Sequence, residues 1–99
     1  MRTVMVRYKV KPGAAAENER LIANVFAQLD RDAPEGVRYQ VFKAADGVSF
    51  THVSAFDGVE GNPLTKLQAF KEFTAGIADR CEEAPVTTQC EAVGRFDNL

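Results

Sequence analysis

The chain has 99 residues, 45% apolar and 26% charged, with a formal net charge of -2. This is the size and make-up of one ordinary soluble domain, too short for two independent cores. Acids and bases are interspersed, with no basic stripe to track phosphates, and no apolar run approaches the roughly 20 residues of a membrane span, so neither nucleic acid nor membrane is an expected partner.

Arg2 to Lys11 alternates, with Val4, Val6, Tyr8 and Val10 on one side and Thr3, Met5, Arg7 and Lys9 on the other, the period-two pattern of a half-buried strand. Charges interrupt this N-terminal stretch where a signal peptide would need an apolar core, so a cytoplasmic location is expected. Pro12-Gly13 ends the strand. From Ala14 to about Asp32, Leu21, Ile22, Val25, Phe26 and Leu29 recur at helical spacing, which predicts an amphipathic helix stopped by Ala33-Pro34-Glu35-Gly36. Val37, Tyr39 and Val41 against Arg38, Gln40 and Phe42 predict a second strand, and Asp46-Gly47 is a hairpin signal into a third, Val48 to Asp57.

Asn62-Pro63 reads as a helix start, because Asn can cap free N–H groups and Pro fits the first helical position. Leu67, Phe70, Phe73, Thr74, Ile77 and Cys81 share one side of that second helix. After a break at Glu83-Ala84-Pro85, Val86 to Phe96 is expected as a fourth strand. Cys81 and Cys90 match neither a redox nor a zinc spacing and are expected as free thiols. With no ligand set and no glycine-rich dinucleotide turn, no metal, haem or flavin is expected.

The order strand, helix, strand, strand, helix, strand specifies one α+β domain over residues 1–99: a ferredoxin-like βαββαβ unit with a four-stranded antiparallel sheet and two helices on one face. The uncovered face must carry some of Met5, Phe42, Val53 and Phe56, which is too much apolar surface for water. A second copy is the simplest cover, and Phe56 is expected at that dimer interface.

The segments "VRYKVKPG", "GVRYQVF", a third strand ending in Phe56-Asp57, and "LQAFKEF" resemble the antibiotic biosynthesis monooxygenase-like family of dimeric α+β barrels. The resemblance covers nearly the whole chain. It implies a homodimer with facing sheets and a pocket in each subunit between sheet and helices. Some members are cofactor-independent monooxygenases that oxidise polycyclic phenols to quinones, and related ones degrade haem. The haem degraders place an Asn on the first strand and a Trp and a His on the second helix. This chain has Val6 and Thr74 near the first and last of those places and no Trp, so haem degradation is excluded. Many relatives end the third strand in Glu, one residue, then Trp. Ser54 and Phe56 stand there, so no catalytic residue carries over by match.

His52, the one histidine, falls in the third strand on the face of Phe50, Ser54 and Phe56. One reading makes it a base toward a bound phenol or enol, since imidazole titrates nearest neutrality; a Ser54–His52 pair lacks the acid and the nucleophile elbow of a hydrolase, so hydrolysis is set aside. The other makes it a hydrogen-bonded residue of a core or interface. Tyr8, Tyr39, Phe50 and Phe73 are the expected lining for a small apolar or aromatic ligand. Arg7 and Lys9 read as rim ion pairs, and Asp57 to Glu60 as a solvated loop. The leading expectation is a small-molecule-binding dimeric barrel that oxidises an aromatic or enolisable substrate without a cofactor. The alternative is a non-catalytic binding or structural dimer whose pocket is filled by Phe26, Phe70 and Phe73.

Overall fold

A computed structural model describes all of residues 1–99. Strand β1 (Arg2–Val10) runs through a 3-10 turn (Pro12–Ala14) into helix α1 (Ala15–Asp32). The helix ends at Ala33, whose N–H donates to the Leu29 carbonyl at 2.8 Å and whose left-handed backbone (φ 42°) turns the chain out of the helix. Strands β2 (Val37–Lys43) and β3 (Ser49–Phe56) form the expected hairpin. Its turn is pinned by the Asp46 carboxylate, which accepts from the Val48 and Ser49 N–H groups at 2.9 Å and from the Ser49 hydroxyl at 2.6 Å. These donors hold the Asp46 carboxyl below its usual pKa, the Ser49 hydroxyl contributing most.

The second helical segment is not the continuous helix its apolar spacing suggests. It consists of a 3-10 turn (Pro63–Lys66), helix α2 (Gln68–Ala75) and a short helix α3 (Ile77–Arg80). Asn62 caps the first piece, its side-chain oxygen accepting from the Leu64 N–H at 3.0 Å. Leu67 then takes an extended conformation (φ -78°, ψ 132°) that breaks the helical run before α2 begins. The Gln28 amide oxygen accepts from the Ala69 N–H at 2.8 Å, so a side chain of α1 satisfies a free donor at the start of α2.

Strand β4 (Cys81–Cys90) corrects the expected Val86–Phe96 span at both ends. Pro85 does not break it, because β4 is an edge strand with β1 as its one neighbour and lies where the register slips from Arg7↔Val86 to Lys9↔Glu83. That slip places an extra residue opposite Tyr8, and a bulge on an edge is where a strand tolerates proline. The far end stops because Thr3 pairs with Cys90, so β1 has almost no residues left to pair beyond it. Residues 91–99 are exposed and carry no regular structure. Cys81 and Cys90, both free, stand at opposite ends of β4.

The sheet is antiparallel throughout, in the order β2-β3-β1-β4. Tyr8, Val10 and Phe50 on its inner face meet Val25 of α1, Leu64 and Leu67 before α2, and Phe73 of α2 in one core cluster. The outer face carries Met5, Arg7, Phe42, Thr51, Val53 and Val86, with Phe42 52% and Val86 64% exposed. Phe56 does not join them. It lies on the inner face two positions beyond Ser54, is 4% exposed within one chain, and has the Arg2 guanidinium 5.6 Å above its ring. It has almost no surface left to offer a second copy. No helix is long and apolar enough to cross a membrane.

Candidate functional site

Strand β3 is central in its half of the sheet, and His52 pairs with Val6 of β1 on one side and Val41 of β2 on the other. Registers on the two sides are offset around it, since Tyr8 stands opposite Phe50 and Tyr39 opposite Ser54. Both tyrosines therefore approach His52 along sheet diagonals, from opposite directions and on the same face. Diagonal neighbours lie about 7–8 Å apart, within the reach of an aromatic side chain. The Tyr8 hydroxyl lies 2.7 Å from Nε2 of His52, and the Tyr39 hydroxyl 2.6 Å from Nδ1.

The chain of hydrogen bonds continues inward. Nδ2 of Asn18, fully buried on α1, donates to the Tyr8 hydroxyl at 2.9 Å. Oδ1 of Asn18 accepts from Nε of Arg80 at 3.1 Å. Arg80, 9% exposed at the end of α3, also donates to the Phe73 carbonyl at 2.7 Å and places its guanidinium 5.1 Å from the centre of the Phe73 ring. That contact combines a charge-assisted hydrogen bond with a cation–π interaction. The result is one buried series, Arg80, Asn18, Tyr8, His52, Tyr39, and no buried side-chain nitrogen or oxygen of the chain lacks a partner.

Aromatic rings close over this series. Phe73 packs against His52 with ring centres 5.3 Å apart, Phe26 stacks on Tyr39 at 5.1 Å, and Phe50 stacks on Tyr8 at 5.6 Å. Burial disfavours the charged form of each titrating group. It lowers His52 to a pKa of about 4 and raises Tyr8 to about 12, the latter against opposing contributions from the Asn18 hydrogen bond and the Arg80 charge. Tyr39 is raised too, chiefly by burial and secondarily by Tyr8. At neutral pH the His52 imidazole and both phenols are uncharged, and Arg80 supplies the formal charge of the series.

The structure thus brings Tyr8, Tyr39 and Phe73 directly around His52, with Phe50 one ring away. Ser54 is not a partner of His52. Its hydroxyl accepts from the Asn62 amide at 3.4 Å, and both imidazole nitrogens are taken by tyrosines. Lys9 reaches Glu82 at 3.7 Å and Glu83 at 3.9 Å on the sheet surface, as a rim residue. Asn18 and Arg80 are functional candidates that the alternation and motif arguments passed over. Each left a signal, a polar residue on the apolar spacing of a helix: Asn18 lies seven positions before Val25 and Arg80 seven after Phe73.

A surface depression of about 540 Å³, bordered by Thr3, Arg38, Ala55 and Cys90, lies on the outer sheet face away from His52. A smaller crevice of about 210 Å³ between α1 and β2 is lined by Ile22, Ala23, Phe26, Val41 and Phe50, with Glu19 and Lys43 beside it. It borders the rings stacked on both tyrosines, and so adjoins the His52 site more closely than the larger depression.

Among solved structures, a protein described as an antibiotic biosynthesis monooxygenase aligns over 95% of this chain and 100% of its own, with a TM-score of 0.76 and 15% identity. This chain has the same fold. Rv0793 from Mycobacterium tuberculosis shares that fold with it at a TM-score of 0.76 and 14% identity, over 97% of this chain and 98% of that one. A mutant of SnoaB, described as a cofactor-independent oxygenase from Streptomyces nogalater, does so at 0.71 and 18% identity, over 98% and 97%. No protein-family model matches the chain, and a search of curated proteins finds no match either. Within this shared fold, the series from Arg80 to Tyr39 occupies the layer between sheet and helices.

Proposed function

We propose that the chain is a member of the antibiotic biosynthesis monooxygenase-like family that binds a small aromatic or enolisable molecule beside Tyr39 and oxidises it with dioxygen, without metal or flavin. The observation that carries this reading is a neutral histidine held at both ring nitrogens by tyrosine hydroxyls within a shell of aromatic rings. A flat phenol suits such surroundings, because rings contribute stacking area and hydroxyls oriented in a dry site stabilise an oxyanion without reorganising. The fold shared with an oxygenase described as cofactor-independent supports the same reading.

The chemistry balances with dioxygen as the only co-reactant. A phenolate or enolate carbon adds to dioxygen and gives a hydroperoxide once a proton is taken up. Loss of water from that hydroperoxide leaves a new carbonyl, so one oxygen atom enters the product and the other leaves in water. Since both imidazole nitrogens are engaged, His52 acts on a ligand through Tyr39 rather than directly.

Titrating a dihydroxyanthracene into the protein tests the binding step. The His52 ring signals in NMR spectra should shift with saturation, and Tyr39→Phe should weaken binding about 10- to 100-fold, the range for one hydrogen bond to a charged group. Unchanged His52 signals at solubility-limited phenol would remove the reading. They would favour a non-catalytic module instead, which the stacking of Phe26 on Tyr39 and the packing of Phe70 and Phe73 into the same layer support.

The reading includes a homodimer with facing sheets, supported by the exposed Phe42 and Val86 on the outer face. Sedimentation should give a dimer for the wild type and a monomer for Phe42→Asp, because the dimer would bury that carboxylate without a partner. Phe42 is 52% exposed in one chain, so the variant should keep its fold. A wild type that sediments as a folded monomer at low micromolar concentration would remove the dimer.

A further inference from the structure

We infer that Arg80 and Asn18 are positioning residues that fix the direction of the buried hydrogen-bond series, so that His52 carries its proton on Nδ1 and Tyr39 presents its hydroxyl proton to whatever meets it. Arg80, at the inner end of the series, has donors only. Its Nε therefore requires an acceptor, and the oxygen of the Asn18 amide faces it. The amide nitrogen must then point the other way, where it donates to the Tyr8 oxygen.

Tyr8 has one proton to give, and with Asn18 donating to its oxygen the acceptor within reach is Nε2 of His52. A neutral imidazole has one donor and one acceptor nitrogen. With Nε2 accepting, the proton resides on Nδ1 and is donated to the Tyr39 oxygen. The Tyr39 proton is the one left over.

The opposite direction is costlier. If Nε2 donated to Tyr8, the Tyr8 oxygen would accept twice and its own proton would have no acceptor, in a residue 5% exposed. An unpaired buried donor is disfavoured enough to bias the tautomer about 5- to 100-fold. Tyr39 is only half-buried, at the outer end of the series, so an uncommitted proton is cheaper there. Placing this donor in the proposed function, on which this consequence alone rests, identifies the ligand atom beside it as an acceptor: a phenolate, enolate or carbonyl oxygen rather than an ammonium or other pure donor.

The test is the His52 tautomer, which needs no ligand. Nitrogen-15 NMR of the wild type at neutral pH should show a bare Nε2 and a protonated Nδ1. In Asn18→Asp, a nearly isosteric carboxylate accepts from Arg80 and from Tyr8 at once. Tyr8 then turns its proton away from His52, Nε2 must donate, and the tautomer should invert with Tyr39 donating to Nδ1. Phenolate affinity should fall about 10- to 100-fold with that inversion, as in Tyr39→Phe, because the same hydrogen bond to a charged group is lost. A wild-type imidazole protonated on Nε2 would overturn the inference, whether or not the variant folds, and so would a folded Asn18→Asp protein that keeps the Nδ1 proton. If the tautomers come out as stated and no phenol binds, the proposed function fails and the direction of the series stands.

Discussion

His52→Ala should lower the free energy of unfolding by about 3 to 5 kcal/mol, a large share of the total for a domain of this size. The imidazole is 6% exposed and packs against the rings of Tyr8, Tyr39 and Phe73, so truncation leaves a void that a rigid sheet cannot close. It also strips the Tyr39 hydroxyl of its hydrogen-bond partner and leaves the Tyr8 proton without an acceptor. Urea unfolding should show a lower midpoint at an unchanged slope, since the surface exposed on unfolding hardly changes. His52→Phe separates the two contributions, because it refills the void while leaving both hydroxyls unpaired, and should fall between the wild type and the alanine variant. A loss below about 1 kcal/mol in His52→Ala would mean that the imidazole is not held as described.

Acid should begin to destabilise the fold as pH falls below about 6.5, and His52 sets that onset. The unfolded chain protonates this residue near its ordinary value of 6.5, whereas the folded chain resists until about 4. Between those values the unfolded state binds more protons, so stability rises with pH. The contribution is complete above 6.5 and is lost as pH falls from there to about 4. At about 1.4 kcal/mol per unit of difference, the loss reaches about 3 kcal/mol. Asp46 and Glu17, whose carboxyls are lowered by Ser49 and by Arg20, add to acid lability from the lower end of this window downward, as pH falls through their ordinary values of 3.8 and 4.5. Unfolding free energies measured across it should slope in the wild type and lie nearly flat in His52→Gln. Equal slopes in the two proteins would place the proton uptake elsewhere.

How much of this was legible beforehand follows from the physics of each element. Alternation along Arg2–Val10 and the Asp46-Gly47 turn report local backbone geometry, so β1 and the β2–β3 hairpin were readable to within a residue or so. The start of β4 was not, because Cys81-Glu82-Glu83 does not alternate and Pro85 reads as a break. Its place is set by pairing with β1, a long-range fact with a bulge inside it. The interruption at Leu67 was hidden for a related reason, since an apolar residue at helical spacing fits either a helix or the extended link that packs it into the core.

In the site, the face shared by Phe50 and His52 follows from their spacing of two. The meeting of Tyr8, His52 and Tyr39 does not, since it depends on which residue of β1 and of β2 stands opposite Phe50 and Ser54. Phe56 shows the limit of pattern alone: the same alternation that grouped it with His52 left open which face met the helices. Asn18 and Arg80 were overlooked because polar side chains are usually assigned to the wet side of a helix. Here they sit on the dry side, where each supplies what the other needs.

Oxygen uptake tests the central claim most directly. With the purified protein as the only catalyst and no added metal or flavin, a dihydroxyanthracene should consume one dioxygen per molecule oxidised and yield the corresponding carbonyl product and water. A wild-type protein that is folded, shows the Nδ1 tautomer of His52, and leaves both phenol and dioxygen untouched above the uncatalysed rate would contradict it.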